Sequence, residues 1–311
     1  MSIFQGLSAF PITPADASGR IDTAALARLL KHIAEAGADS IGLLGSTGAY
    51  AFLTLEERRR AVETAIDTVG GKIPVIVGVG AIRTNDAVAL ARDAKAAGAD
   101  GLLLAPISYT PLFDAEVFEH FATVANAGQL PLCIYNNPST TKFTFSPALI
   151  SRLSKVANIV AVKMPLPSGG DFGSELASLR SVTGSAFKIG YSGDWGGAPT
   201  LLAGGDTWYS VVAGLLPSQA LALTRAAQAG DIVAVGRLDA AFGPLWALFK
   251  EFGSFRVMYV VARVRNLCDV DPPLPVLPLS DEVRQRVVAA LDHLNDGFSI
   301  NSAPLGQDRF H

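Results

Sequence analysis

The chain is 311 residues long, half of them hydrophobic and 17% charged, with a formal net charge of −3 and two cysteines. A chain of this size buries a substantial core, and its composition excludes extensive disorder. The charge leaves no basic footprint for nucleic acid or an anionic membrane, and Cys133 and Cys268 make neither a disulfide framework nor a zinc set.

The start, Met1-Ser2-Ile3-Phe4-Gln5-Gly6, lacks the charged and apolar regions of a signal peptide. The most apolar stretch, around residues 199–223, is broken by Gly204, Gly205, Asp206 and Pro217, so no membrane span is expected there. A cytoplasmic globular protein is predicted. Residues 7–10 then read as a short strand closed by Pro11 and Pro14. Thr23 caps a helix whose apolar face carries Leu26, Leu29, Leu30 and Ile33 and which ends at Gly37. Residues 40–44 are the next strand, and Thr54 opens a helix with Glu57 in capping-box register. Strand and helix signals keep alternating: strand 75–79, helix 84–97, strand 102–105, helix 114–127, strand 132–135, helix 146–154. Strand 159–163, helix 172–182, strand 187–191, helix 195–203 and strand 207–211 complete the series, and Pro217 opens an eighth helix.

The turn Ala36-Gly37-Ala38-Asp39 recurs as Ala97-Gly98-Ala99-Asp100, with a looser echo at Ala203-Gly204-Gly205-Asp206. Each glycine is expected to end a helix in the left-handed conformation, and each aspartate to lead into a strand. A repeat spanning two strand–helix units predicts an α/β fold, a (β/α)8 TIM barrel over residues 1–230, rather than a doubly wound sheet. The first unit also lacks the Gly-x-Gly-x-x-Gly of a dinucleotide site. Residues 231–295 read as a C-terminal helical extension (helices 232–252, 255–267 and 281–295) packed on the barrel or a neighbouring subunit, and 296–311 as a polar tail.

In such a barrel, chemistry gathers at the C-terminal ends of the strands. Gly45-Ser46-Thr47-Gly48 follows the second strand, and its backbone and hydroxyl donors can converge on a carboxylate or a phosphate; an ordinary turn is the plainer reading. Tyr135 ends the fifth strand and needs a partner for its hydroxyl. It fits a layer of the barrel or a proton relay. Ile159-Val160-Ala161-Val162 is a strand buried on both faces that ends on Lys163. That lysine either escapes into solvent or sits in a semi-apolar pocket as a nucleophilic amine able to form a Schiff base with a ketone. Lys163 follows Tyr135 by one strand–helix unit, which puts both on adjacent strands at one rim. Tyr109 lies on the loop after the fourth strand, and Cys133 reads as inert packing.

Gly45-Ser46-Thr47-Gly48, Tyr135-Asn136-Asn137-Pro138 and Val162-Lys163, with Gly78-Val79-Gly80 and Ser192-Gly193-Asp194, together resemble the dihydrodipicolinate synthase / N-acetylneuraminate lyase family. The resemblance covers roughly residues 4–230. It implies a lyase: a class I aldolase acting on pyruvate or a related 2-oxo acid through an imine on Lys163, with no metal or organic cofactor. Ser46, Thr47 and Gly48 would hold the carboxylate and Tyr135 would move protons. Asn137, Thr140, Thr141 and the Tyr209 carbonyl would lie around the pocket, and Tyr109 would complete a hydroxyl relay across a subunit contact. The family implies a homodimer or homotetramer. Four departures stand out. Ala49 replaces the usual glutamate, Ile107-Ser108-Tyr109 replaces the family's paired tyrosines with a one-residue shift, Thr140 replaces the arginine that binds a distal acceptor carboxylate, and Met164-Pro165-Leu166-Pro167 replaces a polar segment. With Trp208 and Tyr209 adding bulk, these predict a more apolar acceptor side, for which authentic dihydrodipicolinate synthesis is not expected. Cleavage or dehydration of 2-keto-3-deoxy sugar acids, aldol chemistry on aromatic aldehydes and a non-catalytic keto-acid-binding barrel are the alternatives.

Overall fold

The computed structural model describes residues 2–299. Its strands are β1 (Gly6–Ala9), β2 (Ser40–Leu43), β3 (Val75–Gly78), β4 (Gly101–Leu104), β5 (Leu132–Tyr135), β6 (Ile159–Met164), β7 (Lys188–Tyr191) and β8 (Thr207–Ser210). All pair in parallel in sequence order, and β1 closes on β8. The (β/α)8 barrel expected from the sequence is the observed fold. Around it run α1 (Thr23–Ala36), α2 (Leu55–Val69), α3 (Thr84–Ala97), α4 (Asp114–Gly128), the short α5 (Pro138–Thr141), α6 (Pro147–Leu153), α7 (Phe172–Thr183), α8 (Gly197–Leu202) and α9 (Pro217–Gln228). After the barrel come α10 (Ile232–Phe252), α11 (Ser254–Val264) and α12 (Asp281–Ser299).

Several boundaries differ for local reasons. Asp22, not Thr23, caps α1, its carboxylate accepting from the Ala25 N–H at 2.9 Å. Thr54 does cap α2, but no capping box forms, because the Glu57 carboxylate is drawn to the Ile21 N–H (2.8 Å) and to Arg60. The helix expected from 195 begins as a tight 3-10 turn, Asp194–Gly196, ahead of α8. Helix α12 runs on to Ser299, past the expected start of the tail at 296, and residues 300–311 lie outside the described residues.

The repeated turn has a structural purpose at the N-terminal rim. Gly37, Gly98 and Gly204 all take positive φ, at 84°, 100° and 96°. The aspartate two residues on then clips its strand to the one before. Asp39, Asp100 and Asp206 accept through their carboxylates from the N–H groups of Leu7, Val75 and Ile189 at 2.7, 2.8 and 2.9 Å. Each also returns its own backbone N–H to the carbonyl of that same residue. Ahead of β6 the role passes to Asn158, at φ 71°, whose backbone carbonyl accepts from the Leu132 N–H. Strand residues alternate between the barrel interior and the helix layer. In β6, Ala161 faces inward with Phe10, Cys133, Tyr135 and Tyr209, whereas Val162 and Met164 pack toward the helices. Lys163 therefore inherits the inward direction.

The extension reaches the loops at the C-terminal rim of the strands. Helix α10 packs on α9, α11, α12 and the Asp194–Gly196 turn. Phe52, in the loop after β2, stacks on Phe255 of α11 at 6.3 Å, and Lys250 lies over Trp195 at 5.6 Å. Helix α10 is long and apolar enough to cross a membrane by length and composition. Its Leu238, Phe242, Leu245 and Phe249 side is instead buried in the protein core.

Candidate active site

Lys163 does not escape to solvent: only 3% of its surface is exposed. It pairs in register with Tyr135 across the β5–β6 ladder. Its Nζ lies 4.0 Å from the centroid of the Phe10 ring, 4.1 Å from Tyr135 and 5.7 Å from Tyr209. Among the described residues no carboxylate forms an ion pair with it. The amine thus ends in an aromatic enclosure.

The Tyr135 hydroxyl accepts from Asn137 Nδ2 at 3.0 Å and meets Ser46 Oγ at 3.4 Å. With its oxygen engaged by Asn137, the phenol's own proton is free to be shared with Ser46 or a bound molecule. Ser46 and the buried Thr47 sit on a loop bracketed by Leu44 and Ala49, two non-glycine residues at φ 55°. Backbone of that kind persists only where the surroundings hold it, and it collects at functional sites. Gly48 allows the loop to fold back: a Cβ there would come within 3.0 Å of Leu44 Cα. Gly78 is equally constrained, since a Cβ would collide with the Leu44 carbonyl. Behind this loop the buried Arg58 donates to the Gly78 and Gly80 carbonyls at 2.9 Å each and lies over the Tyr50 ring at 5.2 Å. Burial lowers the Arg58 guanidinium to about 10 and holds the Tyr50 phenol well above its ordinary range.

Across the barrel mouth, Asp194 is 1% exposed. Its Oδ1 accepts from Ser210 Oγ at 2.7 Å and from the Val211 N–H at 3.1 Å. Burial pushes its carboxyl up to about 6, against the pull of those hydrogen bonds and of the Lys163 charge.

Ser46, Tyr135, Asn137 and Lys163 therefore form one cluster, with Thr47 and Gly48 shaping its loop. Thr140 lies outside it, exposed on α5 and donating back to the Asn137 carbonyl, as does the buried Thr141. Tyr109 is 95% exposed and does not join Tyr135 within the chain. Tyr209 contributes its side chain beneath the lysine, with its hydroxyl 3.4 Å from Cys133 Sγ. The bulk expected from Trp208 is absent from the pocket, because Trp208 points outward against Gly197. Met164 also turns outward, leaving Leu166 as the apolar residue that covers Gly193 and Gly196. Cys133 is the packing residue expected, its thiol pushed up to about 12 by burial. Phe10, Tyr50, Arg58 and Asp194 were not singled out as site residues from the sequence. The available signal was a single acid in an apolar run at Asp194, whereas Gly42 and Gly45 meet Phe10 only in the folded barrel.

A barrel whose sixth strand carries an enclosed lysine near its end, beside a hydrogen-bonded tyrosine, has the architecture of a class I aldolase. The dihydrodipicolinate synthetase family model matches residues 3–294, and the chain belongs to that family, an enzyme of the lyase class. It is 34% identical over 278 residues to the 4-hydroxy-tetrahydrodipicolinate synthase of Alcanivorax borkumensis, covering 89% of this chain and 92% of that protein. The synthase of the same name from Pseudomonas aeruginosa is 36% identical over 252 residues, with coverage of 80% and 85%. Among solved structures, the dihydrodipicolinate synthase of Agrobacterium tumefaciens superposes with a TM-score of 0.93 at 58% identity, covering 94% and 98%. The chloride-inhibited dihydrodipicolinate synthase of Acinetobacter baumannii, solved with pyruvate, superposes with a TM-score of 0.85 at 27% identity, covering 94% and 99%.

Proposed function

We propose that this enzyme forms an imine between Lys163 and the keto carbon of pyruvate or a related 2-oxo acid, and makes or breaks a C–C bond through the enamine. The observation that carries this reading is the buried Lys163 amine held against Tyr135, whose hydroxyl reaches Ser46. The amine attacks the keto carbon to give a carbinolamine. Tyr135 supplies the proton with which its hydroxyl leaves as water. The Tyr135 phenolate left by that step takes up a C3 proton as the enamine forms, the C3–H electron pair moving toward the protonated imine nitrogen. C3 attacks an aldehyde carbon, Tyr135 returns a proton to the new alkoxide, and hydrolysis frees the lysine. Ser46 and Thr47 hold the carboxylate by hydroxyl and amide donors. The pyruvate complex of the Acinetobacter baumannii relative supports pyruvate as the donor.

For the acceptor, the reading is an aldehyde without a distal carboxylate. Thr140 is short, uncharged and turned back to its own helix. It offers no bidentate partner to a second carboxylate. Proton exchange tests the enamine directly. Incubated in deuterium oxide, the enzyme should exchange the methyl protons of pyruvate, followed by NMR, and Lys163→Ala should not. Equal exchange by both proteins would overturn the reading.

A further inference from the structure

We infer that Leu166 selects the acceptor, admitting apolar aldehydes and turning away those hydroxylated beside the carbonyl; this rests on the imine reading above. Leu166 follows Lys163 by three residues, just past the end of β6, and its position is fixed from two directions. The Ser192 N–H and hydroxyl both donate to the Met164 carbonyl, at 2.8 and 3.1 Å, and tie the end of β6 to the loop after β7. Pro165 and Pro167 flank Leu166; each has its φ locked by the ring and offers no N–H to a ligand.

The leucine side chain is seated on the turn that carries Asp194. A Cβ at Gly193 would fall 2.9 Å from Leu166, and one at Gly196 would fall 2.5 Å from it. Gly193 also has φ 101°, where L side chains are rarely found. The two glycines therefore let the leucine down onto the turn. Asp194 within that turn is 1% exposed, yet among the described residues its Oδ2 receives only the Val211 N–H, at 3.2 Å. A carboxylate oxygen so placed keeps a lone pair for a further donor. The turn is also close enough to Lys163 for the two charges to interact. An aldehyde bound for the enamine on Lys163 enters from this rim, where Leu166 puts its methyl groups in front of a carboxylate with bonding capacity to spare. An apolar body gains contact there. A hydroxyl gives up water and finds no partner.

A pair of isosteric aldehydes tests this: 2-methylbutanal and glyceraldehyde differ by the exchange of methyl groups for hydroxyls. Measured as kcat/KM for condensation with pyruvate, the native enzyme should favour 2-methylbutanal by about 10- to 100-fold. Leu166→Ala and Leu166→Ser open the way to the Asp194 carboxylate. Each should cut that ratio by about tenfold or more, chiefly through a lower KM for glyceraldehyde. The change of ratio between native and variant cancels the intrinsic reactivities of the two aldehydes. Pyruvate trapped on Lys163 by borohydride reports that each variant has folded; if one is lost, the other carries the comparison. A native enzyme that takes both aldehydes equally or prefers glyceraldehyde, or a ratio unmoved in the folded variants, overturns the inference. Trapping of pyruvate without condensation of either aldehyde also overturns it and leaves the imine reading standing. Failure to trap pyruvate overturns the imine reading, and this inference with it.

Discussion

The Lys163 amine lies 4.1 Å from the Tyr135 ring, while the Tyr135 hydroxyl turns toward Asn137 at 3.0 Å and Ser46 at 3.4 Å. One tyrosine thereby does two separable things. Its ring walls the amine, and its oxygen joins a polar relay leading to the hydroxyl loop after β2.

Tyr135→Phe separates them. The ring and the enclosure remain, but the proton carrier goes. Turnover should fall by about 10²–10⁴-fold, the range for losing a positioned acid–base group. Pyruvate should still be trapped on Lys163, only more slowly. Steady-state kinetics alongside borohydride trapping measure both. Unchanged turnover would remove Tyr135 from proton transfer.

Asp194 gives a pH signature. Its folded-state carboxyl, at about 6, is raised above its ordinary value of 3.8 by burial. The folded protein therefore holds a proton that the unfolded chain has already released. The stability linked to this group is fully present below the ordinary value and is lost as pH rises through about 6. Asp194→Asn removes the titration and keeps an oxygen for Ser210 and Val211. Between about pH 4 and about pH 7 the variant should gain on the native protein by on the order of 1–3 kcal/mol. Urea unfolding at both pH values measures this. A stability difference that does not change with pH would contradict the assignment.

Thr140 concerns the acceptor. Thr140→Arg puts a guanidinium on α5 beside the cluster. A charged hydrogen-bonding pair with a distal carboxylate should raise kcat/KM for aspartate semialdehyde by at least about tenfold. Parallel assays on an uncharged aldehyde should show no such gain. Efficient native turnover of aspartate semialdehyde, unimproved by the arginine, would show that this enzyme binds the distal carboxylate elsewhere.

Much of the fold was legible because it rests on short-range rules. The alternation of strand and helix, and glycines such as Gly37 and Gly98 at helix ends, are local signals. So is a β-branched run that stops at Lys163. The pairing of Tyr135 with Lys163 follows from one strand–helix unit of spacing. What was not legible depends on which face a side chain takes and what stands opposite it. Trp208 and Tyr209 are both bulky neighbours, yet a one-residue difference in pleat sends the first to the helices and the second beneath the lysine. Phe10 acquires meaning only when Gly42 and Gly45 are brought against it. Arg58 does so only when α2 lays it across the carbonyls of Gly78 and Gly80.

The central claim is that Lys163 is the nucleophile. Borohydride added with pyruvate, followed by peptide mass spectrometry, tests it most directly. The account predicts one reduced pyruvate per chain, located on Lys163 and absent from Lys163→Ala. A native protein that carries no adduct, or an adduct that persists in Lys163→Ala, would contradict it.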